Sequence, residues 1–207
     1  MTTLVLIRHA QSAANELDIF TGHSHFPLTA LGKKQADLAG KYVAENFKID
    51  KLYSSDLLRA YETACAVSTH LGMIPIHTDT GLREIAAGLW ENMTFDEMPG
   101  KFPEEYSMWM NDISNCRCPG GESIKELFDR TTETLKKIAR ENDGKTVAVV
   151  YHSTHLRALI AYAKDGNLSN LGSTKWPSNA SVSVVKCDGE DFSFELCDYS
   201  GHLDKLK

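Results

Sequence analysis

Two stretches of the chain are apolar on both alternating faces, Leu4-Val5-Leu6-Ile7 and Val147-Ala148-Val149-Val150. A strand covered on one face only alternates apolar and polar positions, so these two read as strands buried between two layers of helices. From Thr29 to Phe47, Leu31, Ala36, Leu38, Ala39, Tyr42, Val43 and Phe47 recur at helical intervals behind a Thr suited to cap the first turn. Asp56 to Leu71 repeats that period through Leu57, Ala60, Ala64 and Val67, with Gly72 as its stop. Ser123 to Glu141 carries the longest such pattern and ends at Asn142-Asp143-Gly144. Shorter apolar pieces around Lys51-Leu52-Tyr53 and Ile74-Pro75-Ile76 predict brief strands, and Ser181 to Cys197 predicts a hairpin turning at Asp188-Gly189-Glu190-Asp191.

Strands that alternate with helices predict an α/β protein: a three-layer αβα sandwich around a mostly parallel sheet, with an antiparallel edge strand from the C-terminal hairpin. Between Gly81 and Gly121 the chain holds Pro99, Pro103 and Pro119, several aromatics and no long period. Short helices and loops are expected there, a lid-like insertion at about 85–121 within one domain spanning 1–207. A chain of 207 residues with 42% hydrophobic content suffices for one sizeable core.

Charge and cysteine content narrow the function. A formal net charge of -6, with no basic stripe interleaved with aromatics, argues against a nucleic-acid partner. An anionic substrate would have to be drawn in by a few local arginines. Five cysteines, two of them Cys116 and Cys118 one residue apart, predict free thiols in a reducing compartment. The segment from Met1 to His9 has no basic leader, and its apolar run is too short for a secretory core or a membrane span. The expectation is a cytoplasmic protein without a membrane partner, its assembly left open, a homodimer included.

The two most apolar strands end in similar syntax, Ile7 leading into Arg8-His9 and Val150-Tyr151 into His152-Ser153. In open α/β sheets ligands collect beyond the carboxyl ends of strands. Were the two strands neighbours, His9 and His152 would face each other there, with the Arg8 guanidinium as a planar fork for phosphoryl oxygens. A helix start after each strand would add backbone N–H groups aimed at an anion. Taken from the residues alone, this predicts phosphate or carboxylate binding beside a histidine near enough to react. Blander readings stand alongside: a strand-end histidine satisfied by a carbonyl, a solvated Glu84, an ion-paired Arg59. The spacing of His152 and His155 on a helix face also fits zinc, although no Cys or carboxylate sits beside the pair in sequence.

The string Leu6-Ile7-Arg8-His9-Ala10-Gln11-Ser12-Ala13-Ala14-Asn15 resembles the R-H-G-x-S-x-x-N signature of the histidine phosphatase superfamily, which contains the cofactor-dependent phosphoglycerate mutases. Further pieces follow in that family's order: Phe20-Thr21-Gly22, Pro27-Leu28-Thr29, Tyr53-Ser54-Ser55-Asp56-Leu57 with Arg59-Ala60 and Thr63-Ala64, and Leu82-Arg83-Glu84-Ile85. Gly88-Leu89-Trp90-Glu91, Pro119-Gly120-Gly121-Glu122-Ser123 and Asn179-Ala180-Ser181 complete the series. The resemblance implies that His9 accepts the phosphoryl group, that Arg8 and Arg59 clamp it, and that His152 steadies it. It implies too that Asn15, Thr21 and Gly22 line the phosphate pocket and that Glu84 is the proton donor. No cofactor and no metal are implied, because two arginines and a histidine can neutralise the equatorial oxygens.

Two positions depart from the family pattern. Ala10 replaces a glycine, a mild change if its φ is negative, and Ser153 replaces the glycine after the second histidine, where its hydroxyl is a candidate further donor to the phosphate. The favoured function is a phosphomonoesterase that hydrolyses a small phosphorylated metabolite through a phosphohistidine on His9. A mutase returning the phosphoryl group to a sugar acid is the alternative; such enzymes carry an extra basic segment between the Leu-Arg-Glu and Pro-Gly-Gly-Glu-Ser motifs, where this chain has only Lys101 and Arg117. A non-catalytic phosphate-binding protein is the third reading, and it would be expected to lack His9 or Glu84. The aromatics Trp90, Phe95, Phe102, Tyr106 and Trp109 suggest a partly apolar pocket wall.

Overall fold

A computed structural model describes residues 1–189 and 191–206, so Glu190 of the predicted hairpin turn lies outside the described residues. A six-stranded sheet organises the chain in the order β3-β2-β4-β1-β5-β6. Its strands are β1 (Thr2–Arg8), β2 (Lys51–Ser54), β3 (Ile76–Thr78), β4 (Thr146–Tyr151), β5 (Val182–Asp188) and β6 (Asp191–Tyr199). β1 runs parallel to β4, β4 to β2 and β2 to β3, whereas β5 pairs antiparallel with β1 and β6 with β5. The predicted sandwich with its antiparallel edge is therefore the observed fold.

Both apolar strands are buried on two faces, as their composition requires. Leu4 and Leu6 point into one core with Val147 and Val149, and Val5 and Ile7 point into the other with Ala148 and Val150. The first core is closed by α6 (Ile124–Glu141) and α7 (Ser153–Asp165), the second by α2 (Ala30–Asn46) and α3 (Leu58–His70). The α6 sequence starts on a capping box, in which the Ser123 hydroxyl accepts from Glu126 N–H while the Glu126 carboxylate accepts from Ser123 N–H. α3 stops before Gly72, whose φ of 76° places it in the left-handed region that glycine adopts without strain.

Two local expectations need correction. The strand expected around Ile74-Pro75-Ile76 begins only at Ile76, paired with Leu52. Pro75 has no N–H to give to a ladder, and Met73 before it has φ of 65°. The helix start expected directly after each apolar strand is present after β4 but not after β1. Beyond His9 the chain runs on to Ser12, which caps the four-residue α1 (Ala13–Glu16).

Residues 85–121 contribute only short pieces, among them α4 (Met98–Lys101) and α5 (Pro103–Asn111). Their side chains Trp90, Met98, Trp109 and Ile113 join the same core cluster as Leu4 and Leu6. Cys116 and Cys118 lie buried there as thiols. Among the described residues no helix is long and apolar enough to cross a membrane.

Candidate active site

Because β1 and β4 are parallel neighbours with Arg8 opposite Tyr151, their carboxyl ends carry Arg8-His9 and His152 to one edge. The rings of His9 and His152 lie 5.2 Å apart, centroid to centroid. A cavity of about 430 Å³ opens at this edge, and Arg8, His9, Asn15, Thr21, Arg59, Glu84 and Ser153 line it. Residues distant in the chain are thus brought together. His152 lies just behind His9, 1% exposed, and Gly22 lies behind Arg59.

His9 is held in one tautomer. Its Nδ1 is 2.8 Å from the carbonyl oxygen of Ala10, which can only accept, so Nδ1 carries the proton and Nε2 keeps its lone pair. Burial lowers the His9 pKa well below the ordinary histidine value, and the charges of Arg59 and Arg8 push it the same way. The imidazole is therefore neutral at pH 7. The ring's own backbone is pinned, since its carbonyl accepts from Ala180 N–H at 3.2 Å and from Asn179 Nδ2 at 3.2 Å.

Arg59 is a buried cation and Arg8 a half-buried one. Desolvation lowers both pKa values to about 10, with the Glu84 carboxylate pulling the other way, and both stay charged at neutral pH. Arg8 Nη1 donates to the Pro177 carbonyl, while its Nε, buried, has no partner among the described residues. Arg59 donates from Nη1 to Ser24 O at 3.0 Å and from Nη2 to Gly22 O at 2.9 Å. His152 Nε2 is 2.9 Å from the Ser55 hydroxyl, and its buried Nδ1 is likewise without a protein partner. Buried polar groups are nearly always satisfied, and Arg8 Nε and His152 Nδ1 are two unsatisfied ones carried by the carboxyl ends of neighbouring strands.

Asn15 Oδ1 is taken by Ser12 N–H at 3.0 Å and by Asn179 Nδ2 at 3.3 Å, which leaves its amide nitrogen as the donor toward the cavity. Glu84 accepts from Ile85 N–H at 2.8 Å on one carboxylate oxygen and from Thr154 N–H at 3.2 Å on the other. The second donor belongs to the first turn of α7. Ala10, in the place of a glycine, is outside the left-handed region and gives its N–H to Thr63 Oγ1 at 3.1 Å. Ser153 opens α7 and faces the cavity.

Glu91 is a site residue to which sequence reasoning assigned no role. Its carboxylate accepts from the N–H groups of Gly22, His23 and Ser24 and from the Ser24 hydroxyl at 2.7 Å. The same loop presents its carbonyls to Arg59, so Glu91 positions Arg59 from behind. Gly22 is required at that junction, because a Cβ there would overlap the Ile85 carbonyl, Ala87 N and the Glu91 carboxylate. Glu91→Gln keeps one acceptor but turns an NH₂ toward donors. It is expected to cost about 2 kcal/mol of stability and, by loosening Arg59, about a hundredfold in kcat/KM for an aryl phosphate. Urea melts and steady-state rates check both, and a wild-type rate would remove Glu91 from the site.

His155, the second histidine of the zinc reading, packs against α6 and is not among the residues lining the cavity. His155 Nε2 is 3.0 Å from Thr132 Oγ1 on α6, its ring stacks on Phe128, and its pKa is lowered by burial to about 3. The folded protein keeps His155 neutral down to about 3, whereas the unfolded chain protonates it near 6.5. Stability is thus lost as pH falls through that window, by about 1.4 kcal/mol per pH unit for one such group. His155→Gln is expected to flatten the pH dependence of urea stability between roughly pH 6 and pH 4 by that amount; an unchanged slope would contradict the buried neutral assignment.

The outer wall is aromatic, though not as the sequence suggested. Phe95, Tyr106 and Trp109 line the cavity, whereas Trp90 is fully buried in the core and Phe102 packs against it. Trp176, from the segment after α7, joins the wall. Its ring stacks on Trp109, with centroids 6.0 Å apart.

A model of the histidine phosphatase superfamily (branch 1) matches residues 4–199. Phosphoserine phosphatase 1 of Hydrogenobacter thermophilus is 31% identical over 89% of this chain and 86% of its own length. Phosphoglycerate mutase-like protein 4 of Arabidopsis thaliana is 29% identical over 98% of this chain and 87% of its own. The solved structure of Bacillus stearothermophilus YhfR superposes with a TM-score of 0.92 at 31% identity, covering 99% of this chain and 100% of that one.

Proposed function

The chain belongs to the histidine phosphatase superfamily, and from that premise we propose that it is a metal-independent phosphomonoesterase acting on a small phosphorylated metabolite through a phosphohistidine on His9. The observation that carries this reading is a neutral imidazole whose free Nε2 stands in a cavity shared with the guanidinium groups of Arg8 and Arg59.

The phosphoryl group sits between Arg8, Arg59 and His152, accepting from Arg8 Nε and His152 Nδ1, with Asn15, Thr21 and Ser153 around it. His9 Nε2 attacks phosphorus in line as the bond to the ester oxygen breaks, and the departing oxygen takes a proton from Glu84. The N–P bond so formed is then cut by water, which gives its proton back to the Glu84 carboxylate. Inorganic phosphate leaves and His9 returns to its starting form. Arg8 and Arg59 supply the charge that a metal provides in other phosphoryl transfers.

Hydrolysis is favoured over mutase chemistry by the cations outside the phosphate subsite. Lys101 pairs with Glu97 at 3.2 Å and Arg117 with Glu126, and neither lines the cavity. The convergence of both His9 and Glu84 on that cavity supports turnover over mere phosphate binding. A panel of phosphomonoesters is expected to release inorganic phosphate at rates unaffected by excess EDTA. Interconversion of 3- and 2-phosphoglycerate faster than hydrolysis would favour the mutase, and activity lost in EDTA but restored by zinc would overturn metal independence.

A further inference from the structure

We propose that the leaving-group side of the cavity is built for a flat, uncharged ring system, with Trp176 as the specificity-determining residue and Arg157 as its positioning residue; this deepens, and rests on, the phosphatase reading above. Beside its polar side chains, the cavity is lined by the aromatic rings of Phe20, Phe95, Tyr106, Trp109 and Trp176. Phe20 meets Trp109 edge-on at 5.0 Å and Phe95 at 5.6 Å, and Trp109 stacks with Trp176 at an interplanar angle of 27°. One connected set of rings therefore borders the space into which the ester oxygen's substituent must extend.

Trp176 is the ring at the edge. It is 43% exposed, yet it is held firmly. The Arg157 guanidinium lies 4.3 Å from its ring centroid, while Nε of the same arginine donates to Thr174 O at 2.6 Å and Nη2 to Gly172 O at 3.0 Å. Arg157 thus ties the segment that carries Trp176 to α7 and stacks beneath the indole. A fixed, half-exposed ring facing a cavity of about 430 Å³ is a preformed stacking surface, in a space of the size that takes small ligands.

Charge points the same way. Among the described residues the only Arg or Lys side chains lining the cavity are Arg8 and Arg59, and both are committed to the phosphoryl group. Lys175, next to Trp176, is exposed and outside the lining. A second carboxylate or phosphate on the substrate would meet Glu84 and aromatic faces with no cation to receive it, at a desolvation cost that an uncharged ring escapes.

The test compares 1-naphthyl phosphate with phosphoserine and 3-phosphoglycerate on the wild-type protein and on Trp176→Ala and Trp176→Phe. The wild type is expected to prefer the naphthyl ester in kcat/KM. Trp176→Ala is expected to lower the naphthyl-to-phosphoserine ratio of kcat/KM by roughly tenfold, the worth of one stacked ring, mainly through KM. Trp176→Phe is expected to recover most of that ratio. A wild-type preference for phosphoserine or 3-phosphoglycerate, or an equal loss on all esters in Trp176→Ala, would overturn the assignment while leaving the phosphatase reading intact. No phosphate release from any ester would overturn both.

Discussion

His9→Ala is expected to lower phosphate release from p-nitrophenyl phosphate by about four orders of magnitude or more, the usual consequence of deleting a covalent nucleophile, with the fold retained. The fold survives because what holds this position is main chain. His9 N–H donates to Tyr151 O at 2.9 Å, and its carbonyl accepts from Ala180 N–H and Asn179. The lost side chain borders a cavity, so its removal widens an opening that exists already instead of hollowing the core. The Ala10 carbonyl loses its imidazole partner and has water at hand through the same opening. Binding of inorganic phosphate, which the proposal assigns to Arg8 and Arg59, should persist, and this separates loss of the nucleophile from collapse of the pocket. Rapid-quench labelling gives the sharper check, since the wild type should hold an acid-labile phosphoryl group that His9→Ala lacks. Turnover at the wild-type rate in the variant would remove His9 from the mechanism.

Much of this arrangement could be read in the sequence because it depends on local rules. Apolar runs without alternation located β1 and β4, and the rule that ligands collect beyond strand ends pointed to Arg8, His9 and His152. Whether the two strands were neighbours could not be read, since pairing is a long-range choice; the structure answers it with Ile7 opposite Val150. The helix beginning at Ser123 and the stop at Gly72 were legible for the same local reason. Pro75 was a visible warning that the β3 strand would start late.

What stayed hidden were side chains whose roles are set by tertiary contact. Glu91 looks like any solvated carboxylate until the loop of Gly22 to Ser24 folds over it. Trp90 and Phe102 share the composition of the wall residues, and nothing local says that they turn to the core. Trp176 lies far along the chain from Trp109, in a stretch without periodicity. Gly22 matched a phosphate-loop motif, but its requirement comes from the close approach of residues 85–91, a contact that no single segment discloses.

Glu84→Gln should produce the second large effect, and its form depends on the leaving group. An alkyl phosphate such as phosphoserine releases a strongly basic alkoxide, so loss of the donor is expected to slow formation of the phosphohistidine by about 10²–10⁴. p-Nitrophenyl phosphate releases an anion stable enough to depart unprotonated, and its first step should be nearly unaffected. In the proposed mechanism, hydrolysis of the phosphohistidine still needs the Glu84 carboxylate to take a proton from water. The variant should therefore give a burst of about one equivalent of nitrophenol followed by a slow phase. Binding should not weaken. Glu84 is the carboxylate that opposes the desolvation of Arg8 and Arg59, and a neutral amide leaves those charges free for the dianion, so KM for the dianion is expected to fall or stay level. Structural damage is limited, because the amide retains one oxygen for Ile85 N–H or Thr154 N–H and forfeits one bond, at about 1–2 kcal/mol. Equal slowing of the first step for both esters would mean that Glu84 shapes the pocket without moving a proton. A burst confined to the aryl ester ties it to the departing oxygen, because a purely structural defect has no reason to distinguish leaving groups by their basicity.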